Sequence, residues 1–99
     1  MQAAYEARFT REMGCTVTEL RQWLPGACRN APISWSHAGA DIGLTTTVLR
    51  LTWAELPWRR IALVTLPRLS VTFDFGATPE AERHSFMKHF DLYTQRGGG

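Results

Sequence analysis

Five side chains have the chemistry to ligate a metal or act as nucleophile or base: Cys15, Cys28, His37, His84 and His89. A structural zinc site usually takes thiolates from a close pair, about two to four residues apart. Twelve residues lie between the two cysteines here, and there is no Cys-x-x-Cys pair. His84 and His89 are five positions apart, about 140° around a helix axis, so one metal does not easily reach both. The expectation is no metal site and no cofactor. Cys15 stands beside a helix start, where the helix dipole lowers a thiol pKa. With His37 as base and Asp41 as orienting group it would form a nucleophilic site. Nothing in the spacing brings the three together, and an enzyme centred on Cys15 or His37 remains one alternative.

The stretch Trp53-Ala54-Glu55-Leu56-Pro57-Trp58-Arg59-Arg60 sets two tryptophans beside two arginines. Aromatic residues next to arginines stack bases in nucleic-acid sites. The same pair of types anchors protein interfaces. Net charge decides between them. Eleven basic and nine acidic residues leave only +2, too balanced for a phosphate-binding surface. Trp53, Trp58, Arg59 and Arg60 are therefore interface candidates, for a second copy of the chain or for another protein.

These groups need elements to hold them. Tyr5, Ala7, Phe9 and Met13 alternate with Glu6, Arg8, Thr10 and Glu12, which predicts a half-buried strand over 4–13, with Arg11 interrupting the apolar side. A helix is the rival, because Tyr5, Phe9 and Met13 also recur every fourth residue. Thr16-Val17-Thr18-Glu19 is a capping box, followed at helical spacing by Leu20, Trp23 and Leu24. It predicts a helix over 16–28 that Pro25-Gly26 ends or kinks. Ile33, Trp35 and His37 alternate with serines as a short strand, and 38–43 reads as a turn or loop. The β-branched run 44–53 predicts a strand, with a reversal at Ala54-Glu55-Leu56-Pro57. Leu69, Val71, Phe73 and Phe75 alternate with polar residues. Pro67 cannot open a primed two-residue turn, so 60–75 is expected as one long strand kinked or bulged there. Thr78-Pro79-Glu80 opens a last helix over 79–93, with Phe86, Met87, Phe90 and Tyr93 inward and Glu80, His84, Lys88 and Asp91 solvated.

The end, Gln95-Arg96-Gly97-Gly98-Gly99, resembles the diglycine tails of ubiquitin-like proteins and sulfur carriers over a few residues. That fold runs its tail off a strand, whereas a helix signal precedes this one. A flexible end over 95–99 is the expectation.

Ninety-nine residues suit one domain with a modest core. Met1 to Phe9 carry Glu6 and Arg8 and no apolar run of the signal-peptide kind, and the longest apolar run is Ile61-Ala62-Leu63-Val64. A cytoplasmic protein with reduced thiols and no membrane partner is expected. The fold expected is α+β: an antiparallel sheet of four to five strands with two helices packed on one face. Function is expected to be non-enzymatic: a small protein-binding or self-associating module, possible as a homodimer. The other alternative is a small-ligand binder with a crevice between sheet and last helix, lined by Trp35, His37, Phe73, Phe86 and Phe90.

Overall fold

A computed structural model describes residues 5–96. Seven elements follow one another: β1 (Arg8–Met13), α1 (Val17–Ala27), β2 (Ile33–Ser36), β3 (Gly39–Gly43), β4 (Val48–Ile61), β5 (Val64–Asp74) and α2 (Glu80–Arg96). The strands form one antiparallel five-stranded sheet in the order β1-β5-β4-β3-β2. The α+β class and the antiparallel sheet agree with the sequence. No helix among the described residues is long and apolar enough to cross a membrane.

Alternation sorts the sheet residues. Phe73, Val71 and Leu69 of β5 and Leu49, Leu51 and Trp53 of β4 are buried, in one core with Ile42, Leu20 and Leu24 of α1, and Met87 and Phe90 of α2. Phe73 lies edge-on to Phe90 with ring centroids 5.2 Å apart, and parallel to Phe9 at 5.0 Å. Aromatic pairs in such geometries add to what their burial contributes.

The other parity carries polar rows. Arg8, Asp74, Arg50 and Asp41 are consecutive register partners across four strands, an alternation of charges. Thr10, Thr72 and Thr52 form the next row, with the Thr10 and Thr72 hydroxyls 2.8 Å apart.

Residues 8–13 are a strand, so the period-two reading holds from Arg8 on, while Tyr5 to Ala7 precede the strand. Arg11 is accommodated on its apolar side by an ion pair of 2.7 Å with Asp91, and its guanidinium lies 5.5 Å from the Phe73 ring. Asp91 also accepts from the Tyr5 hydroxyl at 3.0 Å. Asp91 is thus half-buried and held, not part of a solvated face. Burial, and secondarily Asp91, push the Tyr5 phenol above its ordinary value.

The capping box is present: Thr16 Oγ1 accepts from Glu19 N at 3.1 Å and Glu19 Oε1 accepts from Thr16 N at 2.9 Å. The helix passes through Pro25, which sits in the last turn, where one missing N–H breaks few bonds. A β-carbon at Gly26 would meet the end of the Tyr93 ring, which would have to move aside. At the start of α2, the Thr78 hydroxyl donates to the Phe75 carbonyl at 2.6 Å.

Six sequence expectations need correction. Residues 38–43 are not a loop, because Gly39–Gly43 is a strand paired on both sides. Ladder bonds to two neighbours override the low β-propensity of Gly and Asp. His37 falls outside β2, in the turn before β3. Residues 44–47 precede β4, and 54–57 do not reverse the chain but continue that strand. The reversal lies at Ala62-Leu63, inside the span read as one strand, with Ala62 at φ +53°. Finally, Gln95 and Arg96 end α2, while Gly97–Gly99 lie outside the described residues.

Candidate functional site

β1 stops pairing at Met13–Leu69, and β3 stops at Gly39–Thr52. Beyond Trp53 and Leu69, β4 and β5 have strand partners only in each other, down to Ile61–Val64. The result is a two-stranded arm over 55–68. Its register slips between Leu56–Arg68 and Arg59–Leu66, so that Pro57 and Trp58 lie opposite Pro67. The irregularity expected at Pro67 is there, as a bulge in the facing strand.

The arm is apolar and bare. Leu63 at its tip is fully exposed, and Trp58, Ile61, Val64 and Leu66 each keep 42% to 57% of their surface. Register assigns its two sides. Leu56, Arg59, Ile61, Val64, Leu66 and Arg68 share the side that carries the polar rows of the sheet. Trp58 lies on the core side, beside a hollow of about 80 Å³ lined by Thr16, Val17 and Pro67. On the first side one carboxylate stands against two guanidiniums. Glu12 accepts from Arg68 Nη1 at 3.0 Å and from Arg59 Nη2 at 3.5 Å, while Arg68 Nε donates to the Pro57 carbonyl at 2.8 Å.

Of the four interface candidates, Trp58, Arg59 and Arg60 are on this arm. Trp53 is buried, with the Arg21 guanidinium 5.8 Å from its ring. The same guanidinium stands 4.8 Å over Trp35 and donates to the Ser36 carbonyl, which fastens α1 to β2.

The five crevice candidates do not line one pocket. Phe73 and Phe90 are core residues in mutual contact. Trp35 lies under Arg21, and His37 is exposed in its turn. Phe86 alone faces a cleft. That cleft, of about 430 Å³, opens between the end of α1, the segment 43–45 and α2. Arg29, Thr45, Glu82, Ser85 and His89 supply its polar atoms. Sequence reasoning missed four of the five and weighed His89 only as a metal ligand. Glu82, Ser85, Phe86 and His89 at positions i, i+3, i+4 and i+7 of one helix were the available signal.

Both cysteines are free and buried. Burial first, and Glu19 second, push the Cys15 thiol up to about 11, and burial pushes Cys28 to about 12. Desolvation therefore outweighs the helix dipole at Cys15, and a thiolate is scarce at neutral pH. Among the described residues no group of three His, Cys, Asp or Glu side chains is placed to hold a metal ion. Comparison with protein-family models, with curated proteins and with solved structures finds no match to this chain.

Proposed function

We propose that this chain is a non-enzymatic, self-associating module, and that two copies meet through the polar-row side of their β4–β5 arms. The observation that carries this reading is the cluster of bare apolar side chains Ile61, Leu63, Val64 and Leu66 on a ribbon without strand neighbours. Exposed contiguous apolar surface marks interaction sites.

Two features favour a second copy as the occupant. Glu12 pairs with Arg59 and Arg68 within the molecule, one carboxylate against two guanidiniums, so the charge beside the apolar cluster is partly met and the cluster can face its own copy across a two-fold axis. Each arm strand also carries a proline, Pro57 or Pro67, and β4 carries a bulge. These blunt an edge against strand addition, so the contact is made by side-chain faces.

Light scattering coupled to size-exclusion chromatography tests the reading. A dimer at about 10–100 μM is expected, in the range of weak to moderate affinities. The double substitution Ile61→Asp with Leu66→Asp should give a monomer with an unchanged circular dichroism spectrum. A wild-type monomer throughout that range, or a double variant that still dimerises, overturns it.

A further inference from the structure

Arg29 is placed where a helix end favours glycine. Its amide donates to the Gly26 carbonyl at 3.1 Å and the Asn30 amide donates to the Pro25 carbonyl at 2.7 Å, the double closure of a Schellman motif. Arg29 has φ +55° and Asn30 φ +60°, both left-handed. A β-carbon is disfavoured in that region, and glycine fills such sites most often. The arginine at this left-handed position therefore suggests a role for its side chain apart from the fold. No carboxylate among the described residues pairs with it.

Arg29 lines the 430 Å³ cleft, a volume within the range of small-molecule sites. The α2 wall offers acceptors. Glu82 Oε2 is held by the Thr45 amide at 3.1 Å, which leaves Oε1 open. His89 Nε2 lies 3.1 Å from the Gly26 carbonyl. A carbonyl only accepts, so Nε2 carries the hydrogen, and in the neutral ring Nδ1 is left as an acceptor. Phe86, Leu44 and Ala31 supply apolar surface in the same cleft. An exposed guanidinium with no carboxylate partner among the described residues, a set of acceptors and an apolar patch match three parts of one ligand. The geometry points to a small zwitterion with an aliphatic side chain, an α-amino acid of the leucine kind. Its carboxylate pairs with Arg29 as a fork, its ammonium meets Glu82 and His89, and its side chain covers Phe86 and Leu44. A simple acid or a simple amine satisfies one wall and leaves the other without its partner. This site is independent of the arm.

Amide NMR titration with L-leucine, isovalerate and isoamylamine decides it. Leucine should give saturable shifts confined to residues 27–31, 43–45 and 82–89. Each half-ligand should bind about tenfold or more weakly, since one charge-assisted contact is lost. Arg29→Gly relieves the left-handed arginine, so its melting temperature should rise while leucine affinity falls about tenfold or more. That combination separates loss of binding from loss of folding. Absence of saturable shifts with leucine up to about 50 mM overturns the proposal. So does isoamylamine binding as tightly as leucine, or unchanged affinity in Arg29→Gly.

Discussion

The same two strands lead two different lives. Over 48–53 and 69–74, β4 and β5 have neighbours on both sides, and their odd-numbered side chains are in the core. Over 55–68 they have strand partners only in each other, and their large side chains stay in solvent. Hydrophobicity does not separate the halves: Leu66 and Val64 are as apolar as Leu51 and Val71. What differs is whether another layer stands above them. Burial is a property of the neighbourhood, and the arm is a stretch of core-like sequence without a core.

The contrast is open to attack in order of effect. The body should be fragile to truncation. Phe90→Ala removes the ring that meets Phe73 and should cost about 3–5 kcal/mol, read by urea unfolding with an unchanged m-value. If the midpoint stays within experimental error of wild type, α2 is not part of the core and the comparison collapses.

A moderate effect follows from the buried thiols of the body. Their folded values, about 11 for Cys15 and about 12 for Cys28, lie above the ordinary 9.0. Unfolding frees them to ionise, so stability is level below pH 9 and declines as pH rises through 9 towards 11–12. Cys28→Ala should flatten that decline in denaturant titrations across the alkaline range. An identical slope in the variant would mean that other groups drive it.

The arm should be nearly silent in stability. Arg59→Ser with Arg60→Ser removes exposed charges, one of them in an ion pair with Glu12, and should change stability by less than about 1 kcal/mol. A larger loss in the monomer would show that the arm shares cooperativity with the body, and the two regions would then be one.

Local signals were legible in the sequence, and non-local ones were not. The capping box at Thr16 and Glu19 closes within four residues and was readable at once. So were the alternation of 69–75 and the irregularity at Pro67. The strand Gly39–Gly43 hid because its residues have no strand preference and its pairing comes from both neighbours. The arm hid because Glu55-Leu56-Pro57 resembles a reversal, whereas the true turn, Ala62-Leu63, has none of the Gly, Asn or Asp that mark one. Asp91 looked solvated on the helix wheel, since its partners, Arg11 and Tyr5, come from the far end of the chain. The Trp-Arg segment could be picked by composition alone, while the cleft required the end of α1 to meet α2, which no periodicity encodes.

The placement of β1 beside β5 bears on how the chain folds. Their paired residues lie about sixty positions apart in the chain, whereas β4 and β5 close through a two-residue turn. Hairpins of that kind zip up in about 1–10 μs, but a strand that must search across most of the chain meets its loop-closure entropy first. Joining β1 to β5 therefore costs more loop-closure entropy than the tight β4–β5 turn does. Loop closure thus favours the β4–β5 hairpin over the pairing of β1, which also makes the Arg11–Asp91 contact with α2.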